Sequence, residues 1–451
     1  MERLAHSIED CVVAGRWKPV HLSRNGPGIS HLFFADDLVL FAEASPEQLA
    51  LIKGVLEDFC LCSGHRVSVA KTQIYFSKNC LTGIRDLVGV TLGFEVVEDL
   101  GKYLGVPLLH SRVTKSTYAY VLANMRRRLS GWVAQSLSLA GRVTLAKSVL
   151  QAILSYVIQA TWLPKGLCKE MEKLIRRFVW GGSDEKRGVS LVSWDVMQQP
   201  MEDGGMGMKD LGRQNEAFLM KVGFELVMNS DKLWVRVLRD KYSWQGGVPA
   251  SITRGCCSRL WRGLSRVWEA IKSCVCWNVR DGETTDLWYD VWLGNEGPLS
   301  AYYVLPGTPP PTKVAAMVTD EGGWNWNLLN QLLPPSIVQL FVATPPPRSW
   351  FGSDCPGYRW TDNMLCIVRS AYSELAVRHE GENQRMWKLI WALHLPNRVK
   401  MFLWLVLRKG LLTNMERQRR HMCADGTCAI CQMGQEDIDH VLRRCPFARQ
   451  V

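Results

Sequence analysis

HLFFADDLVLF (His31–Phe41) sets two adjacent carboxylates, Asp36 and Asp37, inside an otherwise apolar run. HLFFA and LVLFA read as two strands around the acidic pair. Their nearly continuous apolar composition predicts a hairpin covered on both faces. Asp-Asp is not the favoured hairpin dipeptide, which is Asn-Gly or Asp-Gly. Two readings stand on these residues: a turn that reaches water, or a rigid pair of oxygen ligands. Mg2+ takes one or two carboxylates plus substrate phosphates, and mutual repulsion between two carboxylates favours cation binding. Metal ions held in this way stabilise the attacking and leaving oxygens of phosphoryl transfer.

Around the hairpin the chain alternates helix and strand signals. Leu4, Ile8, Cys11 and Val12 fall at helical spacing, with Glu9 and Asp10 off that stripe on a solvated face. SPEQLALIKGVLEDFCLCSG (residues 45–64) predicts a helix capped by Ser45, with Pro46 at its first position and Gly64 as its stop. RVSVAKTQIYFS (66–77) reads as strand, and GKYLGVPLL (101–109) as a short strand ending at Pro107. From Ser116 the period becomes helical. Tyr118, Leu122, Met125, Leu129 and Trp132 form one stripe. Leu139, Val143, Ala146, Leu150, Ile153 and Val157 form a second, and Leu167, Met171, Leu174, Ile175 and Phe178 a third. Such stripes are the core of a helical bundle. EDGGMGMKDL (202–211) is Gly-rich but lacks the Gly-Lys-Ser/Thr ending and preceding strand of a phosphate loop. Residues 236–343 are Trp-rich without long periodicity, and proline clusters at 306–311 and 345–347 mark boundaries. Helical patterns return from Met386.

The net charge of +11 is uneven. Residues 112–187 hold 14 Lys/Arg against 4 Asp/Glu, and residues 385–451 hold 12 against 5, so these blocks carry +10 and +7. They are either polyanion-facing surfaces, nucleic acid first, or solvated helix faces. Arg126, Arg127 and Arg128 form a run in the first block. Arg417, Arg419 and Arg420 do so in the second, where they either touch phosphates or line a solvated face. The 15 cysteines are scattered and odd in number, which favours reduced thiols and a nuclear or cytoplasmic protein. No signal peptide opens the chain, and no apolar run approaches the ~20 residues that cross a bilayer, so no membrane partner is expected. Oligomeric state has no sequence signal. His31, His110 and His394 are isolated, and the tryptophans read as core.

CAICQMGQEDIDHVLRRC (428–445) contains Cys428-x2-Cys431-x8-His440-x4-Cys445. A Cys-x-x-Cys knuckle offers two thiolates to one tetrahedral ion, and a His and a Cys one helical turn apart complete the shell. Such a set binds Zn2+ in a closed, structural site. A redox role lacks its usual βαβ surroundings.

GISHLFFADDLVLFAEAS resembles the catalytic Asp-Asp hairpin of reverse transcriptases from plant LINE-type non-LTR retrotransposons. SGHRVSVAKT, KYLGVPL, RRLSGWVAQSLSLAGRVTLAKSVLQAILSY and FVWGG are similar to the blocks that follow it in that family. WKLIWALHLPNRVKMFLWLVLRKGLLTNMERQRR and the Cys/His pattern resemble its zinc-binding module, with YRWTDNMLCIVRSAY at that module's start. The resemblance implies an α+β chain in four parts: a partial palm at 1–110, a helical thumb at 111–235, a Trp-rich connector at 236–357 and a small, mostly helical zinc-binding domain at 358–451. It implies RNA-directed DNA polymerase ancestry, with Asp36 and Asp37 as magnesium ligands. Lys71 assists proton transfer to pyrophosphate or is an ordinary surface lysine. Tyr103, Leu104 and Gly105 lie in the primer-grip block. Cys428, Cys431, His440 and Cys445 are the implied zinc ligands. The family's third carboxylate lies on an earlier strand for which no match is present, and its block-two Asn is Ser68 here. The expectation is a fragment that binds RNA and DNA and is inactive alone. The alternative is a zinc-dependent nucleic-acid- or protein-binding module. No ribonuclease H segment is expected after Cys445.

Overall fold

The computed structural model describes residues 1–108, 116–130, 136–159, 161–182, 188–244, 246–294, 296–376 and 384–450. His110 and Trp132, and the side chain of Ile153, lie outside the described residues. The fold is α+β: helices dominate, and the strands form two-stranded sheets. The chain makes two compact units, each assembled from three stretches. The first holds Met1–Thr114, Gly223–Ser251 and Val275–Gly357; the second holds Lys115–Val222, Ile252–Cys274 and Tyr358–Val451. This spatial division and the four-part order along the chain are different partitions.

In the first unit, strands His31–Phe34 and Asp37–Leu40 pair antiparallel, from His31↔Leu40 to Phe34↔Asp37. The turn is Ala35-Asp36, one residue earlier than the acidic pair suggests, and Ala35 takes a left-handed φ of 53°. The hairpin is covered on one face only, against the expectation of two. Phe33, Leu38 and Leu40 pack on Leu4, Ile8, Cys11 and Trp17 of the Glu2–Val13 helix and its following loop. Leu32 and Phe34 remain 41% and 59% exposed. Strand geometry sends alternate side chains to opposite faces, and the helical layer backs one of them.

The Pro46–Ser63 helix forms as its local signals require. Ser45 Oγ accepts from the Gln48 N–H, and Gly64 closes the helix at φ 72°. Two strand expectations are corrected. Arg66–Ser77 gives a 3-10 turn, Val69–Lys71, before strand Gln73–Tyr75, which pairs parallel with Glu95–Val97. Residues 101–108 are not one strand but hold a hairpin of Lys102–Tyr103 and Val106–Pro107. Leu104 and Gly105, with φ 49° and 78°, reverse the chain there.

The Trp-rich part of this unit is a core of Trp288, Trp292, Trp324 and Phe341 with surrounding aliphatics. Trp292 and Trp324 meet the Phe341 ring edge-to-face at 5.5 and 5.1 Å. Asp354 holds the loop beneath it: its carboxylate accepts from the N–H groups of Arg280, Gly282, Thr284 and Thr285 and from both threonine hydroxyls.

In the second unit, Tyr118, Leu122 and Met125 of the first stripe are buried with Leu129 half-buried, and the third stripe, on Lys165–Val179, is buried throughout. The middle run is not a uniform α-helix. A π turn, Ala146–Leu150, separates Leu139–Leu145 from Gln151–Ile158. The Gly-rich stretch is a packing saddle. The Gly204 carbonyl accepts from Trp404 Nε1 (2.7 Å) and Arg408 Nε (2.9 Å), and Asp203 O from Arg408 Nη2 (2.8 Å). The Arg408 guanidinium lies 4.6 Å from the Trp387 ring centre. Most tryptophans are core; Trp350, at 70% exposed, is an exception. Among the described residues no helix is long and apolar enough to cross a membrane.

Candidate metal centre

The C-terminal segment builds a site from two short turns. Thr413 caps the Asn414–Arg419 helix through the Glu416 N–H. The Asn414 side chain donates to Thr427 O (3.0 Å) and Glu436 Oε2 (3.2 Å), tying this helix to the loop beyond it. There Thr427 and Gln435 bridge antiparallel. Cys428 N donates to Gly434 O at 2.9 Å and Gln432 N to Cys428 O at 3.0 Å, with Gln432 left-handed at φ 54°. This tight turn points Cys428 and Cys431 to one side. The second half is a π turn, His440–Arg444, closed by Cys445 N donating to His440 O at 2.8 Å. An i to i+5 turn explains the x4 spacing, because it brings residues five apart onto one face.

The donor atoms of Cys428, Cys431, His440 and Cys445 all lie within 4.8 Å of one another. A tetrahedral ion with Zn–S bonds of about 2.3 Å separates its sulfurs by about 3.8 Å, so the set fits one Zn2+. His440 Nε2 faces Cys431 Sγ at 3.3 Å. Cys428, His440 and Cys445 are buried and Cys431 half-buried. The Cys428 thiol is drawn below its usual range by the backbone N–H groups of Cys431 and Ile430. Cys431 is held above it: the Met433 N–H pulls down, but burial and the neighbouring thiols outweigh that. Three thiols in one pocket cannot all ionise without a cation. Asp437 supports the site from outside, accepting from His440 N (2.6 Å) and Arg444 Nη2 (2.7 Å). A Cys3His shell leaves no open position for catalysis.

The other sequence candidates sit elsewhere. Asp36, Asp37 and Lys71 are exposed, as are Ser68 and Gly105; Tyr103 and Leu104 are half-buried at their hairpin. Among the described residues, Asp36 and Asp37 are not joined by a third His, Cys, Asp or Glu able to share an ion with them. Arg126, Arg127 and Arg128 are exposed. Arg126 meets Glu170 at 3.6 Å and Arg127 meets Asn124 at 2.8 Å. Arg419 and Arg420 both bind the Glu416 carboxylate, at 2.7 and 2.5 Å. Arg420 also reaches Ser190 O, and Arg417 meets Asn414 at 3.3 Å. Their charge is thus partly spent within the fold.

Residues 367–451 match the family described as zinc-binding in reverse transcriptase, and all four candidate ligands fall inside the match. A putative ribonuclease H protein of Arabidopsis thaliana is 30% identical over 356 residues, covering 76% of this chain and 56% of the relative. An uncharacterized mitochondrial protein of Arabidopsis thaliana is 30% identical over 145 residues, covering 32% of this chain and 94% of the relative. The chain belongs to this retroelement-related family. It carries a reverse-transcriptase zinc-binding domain, and it spans about half the length of the putative ribonuclease H relative.

Sequence reasoning missed three residues that the structure sets apart. Asp354 has partners about seventy positions away in the chain. Lys147 and Lys209, in a helical stripe and a Gly-rich loop, gave no motif.

Proposed function

We propose that this chain derives from a LINE-type non-LTR retrotransposon reverse transcriptase, and that it binds RNA and DNA without polymerising by itself. The Cys3His set inside the matched zinc-binding domain carries the reading. Zinc there folds the turns at 428–445 and fixes the basic helix that precedes them. The four-part organisation, from partial palm through thumb and connector to zinc domain, is part of the proposal. So is a nuclear or cytoplasmic location.

Asp36 and Asp37 keep the position of an ancestral magnesium pair. Their exposure on an open hairpin, without a third carboxylate among the described residues, favours binding over catalysis. The basic blocks at 112–187 and 385–451 supply phosphate contacts. Affinity for single-stranded RNA, measured by anisotropy across a salt series, is expected to fall log-linearly, by about 0.7 per neutralised phosphate in slope. A flat response contradicts nucleic-acid binding. Mg2+-dependent primer extension that disappears in Asp36→Ala contradicts the loss of polymerase activity.

A further inference from the structure

Lys147, Lys209 and Arg369 all lie in the second unit, where Lys209 bears electrostatically on Lys147 and Arg369 on Lys209. Lys147 lies on the π turn at Ala146–Leu150; π turns widen a helix and re-aim its side chains, frequently at functional sites. Its ammonium rests against Gly207, where an added Cβ would stand 3.6 Å from Lys147 Nζ. Lys209, two residues beyond that glycine, places its ammonium 4.1 Å from the centre of the Tyr372 ring. Tyr372 is a fixed platform, since its hydroxyl accepts from Asp210 N at 3.0 Å. Arg369 precedes Tyr372 by three residues on the Val368–Leu375 helix, which puts both on one face.

Burial lowers the basicity of both lysines; Lys209 adds to the effect on Lys147, and Arg369 to that on Lys209. Among the described residues, no ion pair engages Lys147, Lys209 or Arg369. The adjacent Asp210 carboxylate accepts from Arg213 N at 2.8 Å. Like charges drawn together and partly desolvated are unfavourable unless an anion completes the cluster. Two ammonium groups and a guanidinium suit the several oxygens of a phosphoryl group.

We infer that Lys147, Lys209 and Arg369, beside Gly207 and Tyr372, form a phosphate-binding site. The phosphoryl group belongs either to a nucleic-acid backbone or to free phosphate or pyrophosphate. In the first case the site rests on the nucleic-acid reading above, and locates one of its contacts.

Thermal unfolding of the full chain in potassium phosphate, against potassium chloride at matched ionic strength, tests the site. The variants are Lys147→Met and Lys209→Met, which remove charge and keep length. The site predicts that phosphate raises the wild-type midpoint above chloride, and that each variant loses that increment. In chloride each variant should melt at or above the wild type, because repulsion is relieved. Salt-dependent binding of single-stranded RNA separates the sources. A slope reduced by about 0.7 per lysine assigns the phosphoryl group to the backbone. An unchanged RNA slope with a lost phosphate increment assigns it to free phosphate. Variants that retain the phosphate increment, or a wild type that shows none and an RNA slope indifferent to both lysines, overturn the site. If the wild type still binds RNA in that last case, the proposed function survives without it.

Discussion

Replacing Asp354 with Asn should open the loop at residues 280–285. The carboxylate is 9% exposed and accepts six hydrogen bonds: four from backbone N–H groups and two from hydroxyls. Burial alone would raise its pKa, but the Arg280, Gly282 and Thr285 N–H groups outweigh that and hold it at about 2. An unfolded Asp titrates at about 3.9, so the ionised carboxylate stabilises the fold by roughly 2–3 kcal/mol. The folded pKa is depressed, so this stabilisation is present above about pH 4 and is lost as pH falls towards 2. An Asn keeps one acceptor oxygen but turns an NH2 towards N–H and O–H donors, which leaves buried donors unsatisfied. Hydrogen exchange followed by mass spectrometry reads this locally. Amides at 280–285 should exchange roughly tenfold to a hundredfold faster in Asp354→Asn at pH 7, and the wild type should lose protection there between pH 4 and 2. Exchange within twofold of wild type at pH 7 would refute the argument that this carboxylate holds the loop.

Gly204→Ala should destabilise the second unit by about 2–5 kcal/mol, seen as a lower urea midpoint. Gly204 sits at φ 79°, where an L side chain costs about 1–2 kcal/mol. Its Cβ would also collide with the Arg408 guanidinium and the Trp387 ring, adding about 1–3 kcal/mol of overpacking. An unchanged midpoint would mean the saddle yields. Glu416→Gln should release Arg419 and Arg420 and tighten RNA binding at low salt; equal or weaker binding counts against a phosphate-facing role for this helix. In the wild type, hydrogen bonds from Arg419 and then Arg420 hold the Glu416 pKa at about 2. The constraint on the two arginines is therefore present above about pH 4.5 and released as pH drops towards 2, and exchange at residues 414–420 should follow that window.

What the sequence disclosed was what short stretches determine. Ser45, Pro46 and Gly64 cap and stop their helix through neighbours within four positions, so that helix was legible. The zinc set was legible because each pair of ligands lies within one turn. The hairpin strands were legible too, but not their one-sided burial, because the apolar run does not record which layers back it. The break at Leu104-Gly105 was hidden for a related reason: two-residue strands are too short to show a period. Gly204 could be excluded from a phosphate loop by its neighbours, yet its role depends on Trp404, two hundred positions away. Asp354 and the Lys147–Lys209 pair likewise take their meaning from partners that only the folded chain brings near.

We propose that one zinc ion, held by Cys428, Cys431, His440 and Cys445, organises the C-terminal domain. Native mass spectrometry of the full chain, before and after chelation, addresses it most directly. One bound zinc is expected, absent from Cys428→Ser and Cys445→Ser, with exchange protection at residues 413–445 lost in step with the metal. A chain that carries no zinc, or that keeps its zinc and its protection in both variants, contradicts the account.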